Sequence, residues 1–543
     1  MTQLDEFQNQ LYLSEEDKKQ GFWMQDEVHL AHALSPLYAS YMLPAMTHGT
    51  KKAFETVKSP VLQFKMKYSD GRAYQATPPY PGNFEERLGE HQKFAQSRFP
   101  VMKKVLFDYV DQELLPFYNQ LDDARRGPLS REQARQLVQQ LHAFYERAWE
   151  LHFEIVTPRS ALCMALESLY GELTGEENAT AVYELLTGVM NKTLETDREL
   201  WNLAEQMKAV PEVAAVLLKE PSGEWLAKLS ETEAGQAFLA KLELFLEAYG
   251  YRTQNSHEFL DPTWVENPEH VLTTLSEYIQ KNYSFEGEFT KGVRERERKY
   301  EQTLSRMPEG EKKAVFVQLY QWALDSWGLD EDHHFYIDAM LPAKSRLFLL
   351  EVGKLLVQEQ VLTETDDLFY LHYDELVKCL AGTQKIEAEV IAERKRTHEE
   401  NKQKKVPPFY GEPPAGMGED PIISRIFGTK QPEVSHETFN GYGSSQGIYT
   451  GVVKVVKGPE EFSKVKQGDV LVCRTTTPPW TVLFSIVGAV ITDAGGILSH
   501  AGTVAREYGI PAVVGSRVAT SILKDGDLVT VDGTSGVVTF GKR

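Results

Sequence analysis

From Ser130 onward, apolar residues fall at Ala134, Leu137, Leu141, Phe144, Ala148, Leu151 and Ile155. These alternating steps of three and four line one helical face. Ser130 followed by Gln133 fits a capping box, so the spacing predicts a helix that begins there. Comparable stretches predict helices over 181–208, 232–249, 309–327 and 339–361, and VLQFKMKYSDGRAYQATPPYPGN (61–83) predicts a hairpin. Beyond residue 437 the pattern changes to short valine-rich runs separated by turns: GVVKVV (451–456), DVLVCR (469–474), GAVIT (488–492), PAVVG (511–515), LVTVDG (528–533) and GVVTF (536–540). A single helix is predicted among them, roughly 500–508. Gly509 is placed to end it, and Pro511 prevents its continuation.

The predicted fold class is therefore multidomain: a mainly α-helical N-terminal domain followed by a small β-rich α/β domain. Composition shifts at the same place. Residues 437–543 hold 16 of the 38 glycines and 18 valines, with 10 basic and 9 acidic residues, whereas residues 1–436 carry 48 basic against 70 acidic. The expected boundaries are 1–387 for the helical domain, 388–436 for a linker and 437–543 for the β-rich domain. The linker begins with the charge-dense EAEVIAERKRTHEENKQKK, an expected exposed helix, and continues into VPPFYGEPPAGMGEDP, whose prolines and glycines stop regular structure. Such a connector suits either a moving domain or an irregular segment packed on the surface.

The chain has 543 residues and a formal net charge of −21. Nucleic acid and anionic lipid need clustered positive charge, so neither is an expected partner. Cys163, Cys379 and Cys473 lie far apart without metal-ligand spacing and read as reduced thiols, and no residue is assigned to a metal. The polar start MTQLDEFQNQLYLSEEDKKQ is not a signal peptide, and no uncharged apolar run approaches about 20 residues. The expected compartment is the cytoplasm.

The segment ITDAGGILSHAGTVAREYGIPAVVG (491–515) carries the chemistry. A strand runs into Gly495 and Gly496, and Ser499-His500 opens a helix. Adjacent glycines let backbone approach a bulky ligand, and a helix N-terminus favours an anion such as phosphate. Neutral imidazole is a nucleophile at neutral pH. The spacing alone leaves two readings of His500 open, a core or capping histidine and a phosphoryl carrier.

The run GG-x-x-SHA-x-x-VARE-x-GIPAVVG resembles the phosphohistidine swivelling domain of the phosphoenolpyruvate-utilising enzymes, and the resemblance extends through GDVLVCRTTTPPWTVLF (468–484) and KDGDLVTVDGTSGVV (524–538). It implies that His500 is phosphorylated and carries the group between two active sites, with Gly495, Gly496 and Ser499 binding phosphate. Ala494 and Ile497 stand where phosphoenolpyruvate synthases usually have arginines, and Arg543 follows the domain directly, so no pyruvate-binding barrel is expected. Thr477-Pro478-Pro479-Trp480 also departs from the family's Asp-x-x-Trp. The nearest resemblance is to rifampin phosphotransferases and the large subunit of phenylphosphate synthase. It implies Mg2+ and ATP bound by a separate ATP-grasp subunit, formation of AMP and phosphate, and transfer from His500 to a small hydroxylated, aromatic acceptor. GYGSSQG (441–447) lacks the ending of a P-loop and reads as the start of the swivelling domain's first strand.

On the acceptor side, FWMQDEVHLAHALSPL (22–37), GYRTQNSHEFLDPTWVENP (250–268), EDHHFYIDAM (331–340) and TDDLFYLHYDEL (365–376) resemble segments of the family's substrate domain. They offer Glu27, His29, Arg252, His257, Asp332, His333 and His334, with Lys344 and Arg346 as anion clamps. Arg252, His257 and His334 are the favoured substrate-binding residues. His142 and His152 are expected to be structural, and His398 and His436 solvated. A phenol or cresol is the first acceptor choice and a larger hydroxylated antibiotic the second. A phosphocarrier or regulatory protein is the competing class, and a phosphoenolpyruvate enzyme a third.

Overall fold

The computed structural model describes residues 11–27, 29–176, 178–253, 255–413, 432–476 and 480–541. The linker stretch 414–431 and Thr477, Pro478 and Pro479 therefore lie outside the described residues. The described chain forms two compact units: residues 11–163, 255–261 and 333–413 make the first, and residues 164–253, 262–332 and 432–541 the second.

In the first unit, β1 (Trp23–Gln25), β2 (Lys65–Ser69), β3 (Arg72–Ala76) and β4 (Phe409–Tyr410) form a sheet of order β2-β3-β1-β4. The predicted hairpin is β2–β3, turning at Asp70-Gly71, both at positive φ. Helix α1 (Pro36–Thr56) crosses α2 (Arg131–Thr174) at Gly49, where a Cβ would lie 2.4 Å from the Glu146 carbonyl oxygen, so only glycine permits this approach. The predicted capping box is present: Gln133 N–H donates to Ser130 Oγ (3.3 Å) and Ser130 N–H to Gln133 Oε1 (3.1 Å). The apolar stripe of α2 is buried, except that Phe144 is half-buried and stacks on Phe117 at 4.0 Å between ring centroids. The helix predicted after 388 runs Ala388–Gln403. Its Ile391 and His398 face inward, and His398 is buried against the Tyr370 ring rather than solvated, while His436 is exposed as expected.

The second unit opens with a correction. The helix predicted over 181–208 is two pieces, a 3-10 turn at Ala179–Leu185 and α3 (Lys192–Lys208). Gly188, at φ +71°, breaks the chain between them, and the Asn191 side chain caps α3 by accepting from the Thr193 and Leu194 N–H groups. Leu200, Leu203, Ala204 and Met207 of α3 pack with Phe238, Phe245, Leu272 and Leu275 in an apolar core. The remaining predicted helices are present as Glu233–Tyr249 and Glu311–Asp325 here, and as α4 (Met340–Gln358) in the first unit.

The C-terminal part is a β-rich α/β domain. Its strands are β5 (Thr438–Asn440), β6 (Tyr442–Ser445), β7 (Ile448–Val455), β8 (Val470–Cys473), β9 (Ala489–Thr492), β10 (Ala512–Val514), β11 (Leu528–Asp532) and β12 (Val537–Phe540). They form one sheet of order β5-β12-β11-β7-β8-β9-β10-β6, with β7 to β10 parallel and the flanking pairs antiparallel. Successive residues of the central strands enter opposite layers, as a period of two requires. Leu471, Cys473, Val490 and Val514 pack under the helix α5 (His500–Tyr508) with Ala501 and Val504. Val470, Val472, Ala489, Ile491 and Val513 face Val529, Val531 and Val538. The three cysteines are buried free thiols, and no described helix is long and apolar enough to cross a membrane.

Candidate active site

The turn between β9 and α5 builds the seat of His500. The Asp493 and Ala494 N–H groups donate to the Cys473 and Arg474 carbonyls (3.1 and 2.8 Å), which ties the turn to the end of β8. Gly495 follows at φ +99°, and a Cβ there would lie 2.8 Å from Ser499 Cβ. Ser499 N–H donates to the Gly496 carbonyl (3.0 Å), and Ser499 is the N-cap of α5, its Oγ accepting from Gly502 N–H at 3.5 Å. His500 is thus the first residue of α5. Gly502 keeps the first turn slim, since a Cβ there would lie 2.7 Å from the Ile497 carbonyl oxygen.

The imidazole of His500 is largely enclosed, with its side chain 12% exposed. Thr476 Oγ1 lies 3.1 Å from Nδ1, and Glu331 Oε2 lies 3.8 Å from Nε2. Glu331 belongs to the EDHHFYIDAM segment and is itself positioned by Thr193, whose Oγ1 donates to Oε2 at 2.5 Å. Arg252 is buried beside this carboxylate, donating from Nη2 to Thr196 Oγ1 at 2.9 Å. Burial lowers its pKa to about 10, with the Glu331 charge opposing the shift, so the guanidinium stays charged at neutral pH.

Three consecutive residues at the end of α5 hold the domain against the helices of its unit. Arg506 donates to the Ser444 and Ile497 carbonyls (2.6 and 3.0 Å), with its guanidinium over the Tyr183 ring. Glu507 accepts from Gly188 N–H (2.8 Å) and Trp327 Nε1 (3.2 Å), and burial pushes its carboxyl up to about 7. Tyr508 Oη donates to Asp197 Oδ2 at 2.8 Å, beside Tyr278 and Tyr283, which donate to the same carboxylate.

The other two favoured residues lie in the first unit. His257 is buried, with Nδ1 3.1 Å from Tyr38 Oη; its Nε2 makes no hydrogen bond, and burial lowers its pKa to about 3, so it is neutral. His334 Nδ1 lies 3.0 Å from Asp338 Oδ2. His29, 3.4 Å from Asp26 and partly exposed, has its ring 6.3 Å from that of His257, so sequence-distant candidates meet. His152 lies 3.3 Å from Asp338 and beside the His333 ring. Lys344 is paired with Asp122, and Arg346 donates to the Phe259 carbonyl below the Phe369 ring; Asp332 accepts from Lys192 N–H. The two expected anion clamps are thus engaged by protein groups. Thr476, Glu331, Glu507 and Tyr508 were not singled out in the sequence. The available signal for the last two was the VARE-x-G run itself.

Residues 465–536 match the model described as the PEP-utilising enzyme, mobile domain. The chain carries the mobile domain of the PEP-utilising enzymes. Residues 152–331 match the rifampicin phosphotransferase fourth domain. Among curated proteins, the chain is 37% identical over 524 residues to the uncharacterized phosphotransferase YvkC of Bacillus subtilis (strain 168), covering 96% of this chain and 62% of that protein. It is 28% identical over 385 residues to the rifampicin phosphotransferase of Bacillus cereus, 67% of this chain and 41% of the relative. The mobile-domain region is 47% identical over 117 residues to the probable phosphoenolpyruvate synthase of Archaeoglobus fulgidus, 21% of this chain and 16% of the relative. The chain thus spans less than two thirds of each of these relatives. The family resemblance read from residues 491–515 is borne out, and His500 sits within the mobile domain.

Proposed function

We propose that this chain is a phosphotransferase component in which His500 Nε2 accepts a phosphoryl group derived from ATP and passes it to the hydroxyl of a small, phenolic compound. The observation that carries the reading is the pairing at His500, with Thr476 at Nδ1 and a carboxylate facing Nε2. Attack needs the lone pair on Nε2, so the ring proton resides on Nδ1 and is donated to Thr476 Oγ1. The helix N-terminus, Gly495, Gly496 and Ser499 receive the phosphoryl oxygens. In the second half-reaction the acceptor oxygen bonds to phosphorus, the N–P bond breaks with its electron pair returning to Nε2, and the hydroxyl proton passes to Glu331. A base has work to do here, because a phenol near pKa ~10 is mostly protonated at neutral pH. Arg252, buried beside Glu331, balances negative charge near the transferring group.

ATP and Mg2+ would be held by a separate ATP-grasp subunit; one phosphoryl group of ATP passes to His500, the other to water, and AMP and phosphate are released. The names of the phosphotransferase relatives support the class of reaction, and the rifampicin phosphotransferases keep a larger hydroxylated antibiotic as the second acceptor choice. The test mixes the full chain with an ATP-grasp protein, Mg2+ and ATP labelled at the β-phosphate, and follows acid-labile label on the chain and its discharge onto a panel of phenols and hydroxylated antibiotics. Label that requires His500 and leaves onto one acceptor is expected. Equal labelling of His500→Ala would overturn the reading, and label that never discharges onto any hydroxyl would favour a phosphocarrier.

A further inference from the structure

Asp338 is almost completely buried, 2% exposed, and three histidines converge on its carboxylate. His152 Nδ1, from the middle of α2, lies 3.3 Å from Oδ1; His333 Nε2 and His334 Nδ1 lie 3.8 and 3.0 Å from Oδ2. The ligand atoms of His152, His333 and Asp338 all lie within 4.8 Å of one another. His152 is 6% exposed, yet its Nδ1 and the facing Oδ1 make no hydrogen bond with each other or with any other group. An ordinary buried polar pair closes such a contact, because leaving both atoms unsatisfied costs about 1–3 kcal/mol each. The 3.3 Å between these two atoms is also the separation of two donors around a shared metal ion.

The backbone supports the same conclusion. His333 and Asp338 are five residues apart, a spacing that would set them about 140° apart around an α-helix. The chain instead makes a π-helical turn over His334–Ala339. Its i→i+5 pattern widens the turn and brings the two side chains to one side, and turns of this kind are frequent at functional sites. We propose that His152, His333 and Asp338 bind one divalent transition-metal ion of the Zn2+ type.

Two imidazole nitrogens and one carboxylate oxygen suit Zn2+, Co2+, Fe2+ or Mn2+, whereas Mg2+ and Ca2+ take oxygen donors. A tetrahedral ion with bonds of about 2.0–2.1 Å sets neighbouring donors about 3.3 Å apart, which is the His152–Asp338 separation, and small rotations of the side chains would draw in the rest of a set that lies within 4.8 Å. Three protein ligands leave a position for water or another oxygen donor. His334, on the second carboxylate oxygen, orients Asp338 as outer partners of metal ligands do.

The test uses the full, tag-free chain, stripped with chelator and offered Zn2+ at tenfold molar excess before gel filtration and elemental analysis. About one equivalent retained by the wild type is expected, with a thermal midpoint raised by about 3 °C or more relative to the stripped protein. Asp338→Asn and His333→Gln should retain less than about a fifth of an equivalent and show no rise. Failure of the wild type to retain Zn2+, or equal retention by His333→Gln, would overturn the site. Should Asp338→Asn fail to fold, Co2+ bound to the wild type decides: the intense visible absorption of a four-coordinate site supports the proposal, and the spectrum of hexaaqua Co2+ refutes it.

Discussion

Tyr508→Phe removes one oxygen atom at the junction between the mobile domain and the helices of its unit, and its effect can be worked out in advance. Asp197 is 3% exposed and accepts from Tyr278, Tyr283 and Tyr508, the last at 2.8 Å. Burial raises its pKa and the three hydroxyls lower it, so each hydroxyl helps to hold the charge inside. A hydrogen bond to a charged acceptor contributes about 1.5–3 kcal/mol, roughly 10- to 150-fold in an equilibrium constant. The two remaining tyrosines keep Asp197 satisfied, so the loss falls on the contact made by α5. A reporter lies next to it, because the Gly188 N–H donates to Glu507, the neighbour of Tyr508. Amide hydrogen exchange of the peptide containing Gly188 should therefore quicken by roughly 10- to 150-fold. Peptides covering Leu200 and Leu203, deep in the α3 core, should keep their rates. An unchanged Gly188 peptide would refute the reasoning, and equal acceleration everywhere would show that the substitution weakens the whole unit rather than the docking.

Two further outcomes are expected. Glu507 keeps its proton in the folded state up to about 7, against an ordinary 4.5, so between those values the folded chain binds more protons than the unfolded one. Stability should then fall as pH rises through that window and level off above 7, by at most about 3 kcal/mol, less whatever screening solvent supplies to the half-buried side chain. Glu507→Gln should flatten this slope in urea melts from pH 4 to 8, and an unaltered slope would place the titration elsewhere. Thr476→Val keeps the shape of the side chain but removes the partner of His500 Nδ1, worth about 1 kcal/mol, so phosphorylation of His500 should slow roughly fivefold. A rate equal to wild type between pH 6 and 8 would remove Thr476 from the site.

The helices and strands were legible because their apolar periods are long and regular, as in α2, and because the turns carry their own punctuation, as at Gly509-Ile510-Pro511. The place of His500 at a helix start was legible because glycines, N-cap and histidine are contiguous. Its partners were not. Glu331 lies far away in sequence, on a segment whose histidines drew attention first, and Thr476 precedes three residues whose departure from the family pattern stood out more. His152 read as one polar position on an amphipathic helix, and no spacing rule connects it to Asp338 across a turn that obeys neither the α-helical nor the strand period. His398 misled for the opposite reason: a charge-dense segment still turns one face inward, and that face carries it.

The layering of the C-terminal sheet has a consequence for inheritance. Both of its faces are covered by residues of the same hundred-residue stretch, so the folding information is largely self-contained, and its joints to the rest of the unit include polar groups at the end of α5, the Gln446–Glu184 and Asn178–Thr534 hydrogen bonds and the His270–Phe462 ring contact. A gene segment encoding such a unit can be spliced beside an unrelated scaffold without exposing a greasy scar on either side. Matching Glu507, Tyr508 and a few neighbouring polar contacts to a new set of acceptors and donors is then a small problem, which makes this kind of cassette easy to recombine.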